Sequence, residues 1–308
     1  MKTLPIKLRH LNVFMEVARQ KSVGRAAVSL AISQPAVTKT IRELEQILDV
    51  RLFEKEGRGI RLSRFGEVFL HHTGHGLAAI GEGVNALNSA VRQNAPPVRI
   101  GALPTVSTRI MPKAMQLYLD EDLNNEIKIV TGENAVLLDQ LRLGELDLVV
   151  GRLAAPEKMT GLEFEHIYSE QVVVAVREGH PLLSQSPFRL DQLQDYPVLM
   201  PTRASVIRPF VERMFLAYGM PELPRQIETV SSSFGRAFVR ASNAAWIISE
   251  GVVATDLAEG RMRTLPIDTS ETKGAVGITT RTDAATNTGL SIMRQCIRIA
   301  AEEDHKSV

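Results

Sequence analysis

SQPAVTKTI, residues 33–41, begins an apolar pattern that returns at Val37, Ile41, Leu44 and Leu48. At 100° per residue those four side chains fall within about 60° of one another on a helix, and Gln34, Pro35, Thr38, Lys39 and Arg42 take the remaining side. Ser33 ahead of the run is a good N-cap, and Pro35 suits a first turn, where its missing N–H has no partner to lose. One side of this predicted helix is core. The other is a surface of amide, hydroxyl, ammonium and guanidinium donors.

Upstream, Leu11, Phe14, Met15 and Ala18 recur at i, i+3, i+4 and i+7, which predicts a first helix over 7–19. Ser22 caps a second helix, VGRAAVSL, whose small residues Gly24, Ala26 and Ala27 admit a close crossing, and AIS is a short turn. In a helix-turn-helix the second helix of such a pair enters the major groove N-terminus first, where amides and guanidiniums match base edges. RLFEKEGRGIRL, residues 51–62, then predicts two short strands, near 51–53 and 60–62, around a Glu56-Gly57-Arg58-Gly59 turn. This is a wing whose tip, Arg58, reaches an adjacent minor groove. Charge agrees. The first 64 residues hold thirteen Lys and Arg against six Asp and Glu, a net +7, whereas the whole 308-residue chain carries +1, leaving −6 for the remainder. A basic head on an acidic body is the footprint expected of a double-stranded DNA partner.

The run AAVSLAISQPAVTKTIRELEQILDVRLFEKEGRGIRLSRFG resembles the winged helix-turn-helix of LysR-type transcriptional regulators, and the length and layout of the chain are similar to that family throughout. The resemblance implies that Gln34, Pro35, Thr38, Lys39 and Arg58 take DNA-contact positions. Ser33 and Arg42 complete the candidate DNA-binding set. The family often has Ser and Arg where this chain has Thr38 and Lys39, so hydroxyl and charge are kept but the bidentate fork of arginine is not.

Past the wing, Ser63 caps a long helix expected to run to about Val91. Leu70, Thr73, Leu77, Ile80, Val84, Leu87 and Val91 alternate spacings of three and four, a heptad seam. A seam that narrow needs a second helix, and the same helix of another copy is the economical partner, setting two reading heads on one palindromic site. Gly74, Gly76, Gly81 and Gly83 each weaken helicity by roughly 1 kcal/mol relative to alanine, so packing must hold this helix together. His71, His72 and His75 fall off the seam with no nearby carboxylate or thiolate, and are expected to be exposed side chains; no metal and no cofactor is expected. The lone Cys296 excludes an internal disulfide framework and suits a reducing compartment. The N-terminus lacks an export signal's apolar core and no run reaches the roughly 18 apolar residues of a membrane span, so a cytoplasmic protein with no membrane partner is expected. No nucleophile elbow, phosphate loop, H-E-x-x-H or strand-linked G-x-G-x-x-G occurs, and catalysis is not expected.

QNAPP, ending at Pro97, breaks the long helix. Thereafter VRIGAL, EIKIVTG, LDLVVGR, EQVVVAVREG, YPVLM, QIETV, AAWIIS and AVGITTR predict strands, with helices near 108–120, 134–143, 205–218, 233–243, 251–259 and 287–303. That alternation predicts parallel α/β sheets, and roughly 210 residues exceed one small sheet, so two subdomains are expected. Where strand C-termini and helix N-termini face each other across a crevice, free N–H groups favour anions. PTVST offers Thr105 and Ser107 there, TGEN offers Asn134, PTRAS offers Thr202, Arg203 and Ser205, and SSSF adds Ser231 more weakly. Each is also a sound N-cap. Together, and with Arg208 nearby, they suit a small carboxylate better than a sugar, whose ring faces want aromatics, here only 5% of the chain.

The resemblance to LysR-type regulators implies the remaining architecture: an α/β chain with a winged helix-turn-helix over 1–62, a linker (dimerisation) helix over 63–92, and a two-subdomain effector domain over 93–308, similar to a type 2 periplasmic binding protein. Its first subdomain would take 98–168 and 270–308 and its second 169–269. GALPTVSTRIMP, IVTGENAVLLDQL, VVGRLAAPEKMTG, YPVLMPTRASVIRPFVERM, SFGRAFVRAS and DTSETKGAVG extend the similarity to those members that regulate protocatechuate degradation. That implies an activator of aromatic catabolism in the β-ketoadipate pathway, a polycarboxylate inducer, dimers pairing into a homotetramer, and contact with RNA polymerase. A sugar-responsive regulator of the same layout is the alternative; a solute-binding protein would need no basic head. ASNAAWIIS departs from the family, which often has a glycine-rich turn and a proline there, so Ser242, Asn243 and Trp246 shape either a pocket or a surface.

Overall fold

A computed structural model describes residues 5–57, 59–92, 95–220, 222–284 and 287–306. The chain forms two compact units, one built on residues 1–88 and one on residues 89–308 apart from 142–144.

In the first unit, α1 (Leu8–Gln20), α2 (Val23–Ser29) and α3 (Gln34–Leu48) precede a hairpin of β1 (Phe53–Glu56) and β2 (Gly59–Leu62), and α4 (Arg64–Arg92) follows. Ser22 Oγ accepts from the Arg25 amide and Ser33 Oγ from the Ala36 amide, so both expected caps form. Val37, Ile41 and Leu44 are buried and pack with Phe14, which contacts the rings of Phe53 and Phe69 at 5.4 and 5.1 Å. On α1 the buried stripe is His10, Val13, Phe14 and Val17, with Leu11, Met15 and Ala18 only half-buried: the helix is turned from the predicted face because Phe14 must point at α3.

The hairpin starts two residues later than predicted. Glu45, a buried carboxylate on α3, accepts the Leu52 amide at 2.8 Å and the Phe53 amide at 3.3 Å and pairs with Arg51 Nη1 at 3.0 Å. Those amides are spent on a side chain, so the ladder begins at Phe53↔Leu62 and ends at Glu56↔Gly59. Ser63 Oγ accepts the Gly66 amide and donates to the Arg51 carbonyl, which starts α4 at the predicted place. On α4, Thr73 is buried, whereas Ile80, Val84 and Leu87 are 52–69% exposed and continue the apolar seam into solvent. The side chain of Val91 lies outside the described residues. The expectation of exposed histidines holds for His72 only: His71 and His75 are half-buried, with ring centroids 4.2 Å apart.

The second unit contains two five-stranded sheets. The first is ordered β4 (Asn125–Thr131), β3 (Ala95–Ala102), β5 (Leu148–Arg152), β12 (Gly274–Arg281), β6 (Leu162–Glu170). The second is ordered β11 (Met262–Thr264), β7 (Val172–Arg177), β10 (Ala245–Ser249), β8 (Val198–Met200), β9 (Gln226–Glu228). Between strands come α5 (Pro104–Arg109), α6 (Met111–Leu119), α7 (Asn134–Arg142), α8 (Arg208–Ala217), α9 (Ser232–Ala241) and α10 (Glu250–Ala258), and α11 (Thr288–Lys306) follows β12. The sheets are mixed, not wholly parallel. β3 is parallel to β4 and β5, and β8 to β9 and β10, but β12 runs antiparallel to β5 and β6, and β7 antiparallel to β10 and β11. The chain passes from the first sheet to the second at Gln171 and returns through residues 265–273.

Two strands, β6 and β11, have no counterpart in the sequence reading. β6 carries a bulge opposite Val276 and Gly277, which skips Ile167 and breaks the period-two alternation that marks a strand. β7, by contrast, is apolar throughout because its two faces feed different cores: Val172, Val174 and Val176 enter one, Val173 and Ala175 the other. The first sheet is covered by α6 and α11, with Met111, Ala114, Tyr118, Leu290, Met293 and Ile297 buried against it. α11 is tied to β6 through Glu165, whose carboxylate binds Arg298 Nη2 and Arg294 Nη2, each at 2.9 Å.

Glu45→Ala removes the partner of two backbone amides and should cost about 2–3 kcal/mol of stability in urea denaturation; an unchanged midpoint would contradict the role given to that carboxylate. The hydrogen bond from Arg298, opposed by partial burial and aided by Arg294, holds Glu165 at about 2 instead of the usual 4.5. A depressed carboxylate stabilises the fold fully above pH 4.5 and loses that contribution as pH falls toward 2. After discounting for solvent screening, Glu165→Gln should cost about 1 kcal/mol at pH 7, with the gap to the native chain closing through that window.

Candidate functional site

Two candidate sites stand out, one in each unit. On the first, the outward face of α3 lines a shallow open groove made by Gln34, Pro35, Thr38, Lys39, Arg42, Glu43 and Gln46. The Lys39 ammonium is on a side chain 79% exposed, 3.9 Å from Glu43, which also meets Arg9 at 3.1 Å and His10 at 3.4 Å. Glu43 therefore gathers three basic side chains around the middle of the helix. The Thr38 hydroxyl donates to the Gln34 carbonyl at 3.0 Å, which leaves its lone pairs to accept but takes its proton. Ser33 is engaged as the helix cap. Arg58 lies outside the described residues. Gln34, Pro35, Lys39 and Arg42 share one exposed face, and that face is donor-rich because the apolar residues are turned inward toward Phe14.

On the second unit, the ends of parallel strands converge on a crevice between the two sheets. It is lined by Leu103 and Pro104 after β3, Glu133 and Asn134 after β4, Thr202 and Ser205 after β8, Thr229 and Ser232 after β9, and Trp246 and Ile248 of β10. The Thr202 hydroxyl donates to Glu133 Oε1 at 2.8 Å, a polar bond across the opening. Trp246 is buried, and its ring fills the space where a Cβ on Gly235 of α9 would stand 2.5 Å from Cζ2, so only glycine admits the helix so close. Its neighbours Ser242 and Asn243 bond to the Phe238 carbonyl and to Arg177, so of the three residues only Trp246 lines the crevice.

The sequence-predicted ligand residues are divided by the structure. Asn134, Thr202 and Ser205 line the crevice, and Arg203 lines an adjoining pocket with Asn134 and Ser205. Thr105 is buried, donating to Glu170 Oε2 at 2.7 Å, and the Ser107 hydroxyl bonds to the Pro104 carbonyl. Neither is among the crevice lining, because the helix predicted from 108 begins at Pro104, which turns Thr105 toward Glu170 and Ser107 back onto the first turn of α5. Ser231 caps α9 through the Phe234 amide. Arg208 is not available as an anion ligand: it bonds Glu212 at 2.7 Å, Glu228 at 3.0 Å and the Pro201 carbonyl at 2.9 Å.

Two buried ionisable residues have no place in the sequence reading. Glu170 ends β6 and Arg152 ends β5, each with 3–4% of its surface exposed. Burial pushes the Glu170 carboxyl up, against hydrogen bonds from Thr105 and the pull of Arg152; burial pushes Arg152 down, against the pull of Glu170. A charge closing an otherwise apolar strand, as in LVVGR at 148–152, was the available signal for Arg152. Among the described residues no helix is long and apolar enough to cross a membrane, and no group of three metal-ligating side chains occurs.

Comparison with known proteins matches residues 8–67 to the bacterial regulatory helix-turn-helix protein, lysR family, and residues 92–302 to the LysR substrate binding domain. The chain belongs to the LysR family of transcriptional regulators. It is 60% identical over 298 residues, 97% of this chain and 96% of the relative, to the HTH-type transcriptional regulator PcaQ of Agrobacterium fabrum. It is 34% identical over 293 residues, 95% of each chain, to the uncharacterized HTH-type transcriptional regulator YdcI of Escherichia coli. The crystal structure of CbnR, a LysR family transcriptional regulator, aligns with a TM-score of 0.54 at 21% identity over 96% of this chain and 99% of that one, a likeness of fold. In this LysR chain α3 is thus the second helix of the helix-turn-helix, and the crevice lies in the substrate-binding domain.

Thr105→Val keeps the side-chain volume and strips the hydroxyl from a buried carboxylate. It should lower stability by about 2 kcal/mol at neutral pH, read by thermal denaturation. An unchanged melting temperature would show that Glu170 does not depend on that bond.

Proposed function

We propose that this LysR regulator activates genes of aromatic-compound catabolism, in the protocatechuate branch of the β-ketoadipate pathway, when a small polycarboxylate binds the crevice of its effector domain. The observation that carries this reading is the 60% identity to PcaQ across both the helix-turn-helix and the effector domain. The match covers 97% of this chain, so it spans both the head and the effector domain. The crevice chemistry supports the inducer class: the hydroxyls of Ser205, Thr229 and Ser232 are donors, Thr202 donates to Glu133 until a ligand displaces it, Asn134 keeps one amide N–H beyond the one held by the Arg152 carbonyl, and the aromatic lining is limited to Trp246.

In this reading Gln34, Pro35, Thr38, Lys39 and Arg42 meet the major groove with Ser33 at the helix start, and Arg58 of the wing meets the minor groove. Asn134, Thr202, Arg203 and Ser205 bind the inducer, with Thr105, Ser107 and Ser231 holding the loops around it. The domain limits are 1–62, 63–92 and 93–308. The protein acts in the cytoplasm without catalysing a reaction. Through the exposed seam of α4 it forms dimers, which pair into tetramers on operator DNA and present an activation surface to RNA polymerase. The inducer acts by its difference in affinity for two arrangements of the effector subdomains, which changes the spacing of the heads and the bend of the DNA.

A chain with alanine at Gln34, Thr38 and Lys39 should keep its melting temperature and lose selective operator binding in gel-shift titration; retained selectivity would remove α3 as the reading helix. Operator affinity should fall about a thousandfold between 50 and 200 mM salt if some six phosphates are contacted. In thermal-shift screening, aliphatic di- and tricarboxylates should raise the melting temperature and neutral sugars should not. A sugar response without a carboxylate response would overturn the inducer class.

A further inference from the structure

The pocket that adjoins the crevice carries more positive charge than its own walls compensate. Arg152, Lys158, Arg203 and Arg213 line it, with a single carboxylate, Glu157, and the ring of Phe210. Arg152 is the unusual member. Its side chain is 96% removed from solvent, yet its Nε and Nη1 have no hydrogen-bond partner; Nη2 is held by the Thr272 carbonyl. A buried N–H is expected to be paired, and one on a cation more so.

The surroundings keep that guanidinium in place and its donors open. It stacks on Phe210, 4.8 Å from the ring centroid, and Arg213 meets the same ring at 5.7 Å. Two like charges sharing one ring repel unless an anion stands with them. At Gly274 a Cβ would come within 2.5 Å of Arg152 Nε, so the absence of a side chain there makes room for the arginine. Glu170, the buried carboxylate that acts on Arg152, spends Oε2 on Thr105 and the Gly251 amide, and its buried Oε1 has no hydrogen-bond partner, so it lends Arg152 opposite charge without occupying those donors. Asn134, Ser205 and Val206 line this pocket and the crevice both, so the two spaces are continuous.

We infer that this pocket is an oxyanion subsite in which Arg152, backed by Arg213, takes one carboxylate of a di- or tricarboxylate whose remainder extends past Asn134 and Ser205 into the crevice. The inference rests on the polycarboxylate reading above and assigns the charge that reading otherwise lacks, since Arg208 is neutralised by Glu212 and Glu228. A guanidinium with two open donors suits a planar carboxylate held by two parallel hydrogen bonds. At the rim Arg203, 89% exposed and 4.0 Å from Glu228, adds to the positive field toward the same molecule.

The test is isothermal titration calorimetry on the full chain with tricarballylate, adipate, acetate and inorganic phosphate. Tricarballylate and adipate should bind, more tightly than acetate or phosphate. Arg152→Gln should weaken tricarballylate about tenfold or more, while the ligand-free melting temperature falls, because the buried Glu170 carboxylate loses the cation beside it. Arg213→Gln, at an exposed position that cannot unfold the chain, should weaken it about threefold and decides the matter if Arg152→Gln does not fold. Tricarballylate binding unchanged in both variants overturns the subsite; if Thr202→Val then weakens it, the crevice reading survives alone. Phosphate binding as tightly as tricarballylate overturns the carboxylate assignment, and no heat with either polycarboxylate removes the subsite together with the inducer class.

Discussion

The second helix of the helix-turn-helix presents one fixed outward face only if it cannot roll. Val37, Ile41 and Leu44 are buried against Phe14, and that contact fixes which side of α3 faces outward. Rotation by one residue, 100°, would bury Thr38 and expose an apolar side chain, at about 1.5–3 kcal/mol for each large apolar group returned to water. Glu45 adds a second constraint from the same helix. By accepting the first amides of the wing and pairing with Arg51, it makes the hairpin's position a consequence of α3's position. Helix α3 and the hairpin are thereby held as one unit.

The effector unit is organised by a comparable economy. Each sheet is built around a parallel trio whose strand ends point at the crevice, and the antiparallel strands β12 and β7 return the chain between sheets. Only two passages join the sheets, so polar bonds across the opening have weight. Thr202 to Glu133 links the loop after the second sheet's β8 with the loop after the first sheet's β4, and the Thr108 hydroxyl of α5 donates to the Gly251 carbonyl of α10. A ligand that competes for such bonds acts directly on the balance between the subdomains, since it supplies the differential contacts on which any population shift depends. Arg152 and Arg213 lie beside the opening, and the crevice lining holds one carboxylate, Glu133.

Much of the head was legible because its signals are local. Ser22 and Ser33 cap the helices they precede, Pro35 sits in a first turn, and the apolar stripe of α3 is buried as its spacing requires. The errors in the head come from side chains acting at a distance: Phe14 turned α1 off its predicted face, and Glu45 moved β1 by two residues. In the effector unit the central strands were legible as apolar runs, but β6 was hidden by a bulge that broke its alternation, and the parallel expectation failed at β12 because strand direction depends on the path of the chain and not on composition. The crevice hydroxyls were legible as turn residues after strands. Their fates were not, since Thr202 and Thr105 are equally good donors in sequence and differ only in what carboxylate each one meets.

By itself the sequence determined a basic helix-turn-helix head, a long apolar-seamed helix and an α/β effector unit with polar loops, because capping, periodicity and charge act over a few residues. Only the tertiary structure decided which polar groups are spent and which stay open. Arg208 is ion-paired with two carboxylates whereas Arg152 keeps two N–H groups unbonded, a difference set by residues 4 to 120 positions away in the chain that folding brings within hydrogen-bond reach. Solvent exclusion then makes that pairing matter, since a buried charge must find its partner in the fold or in a ligand.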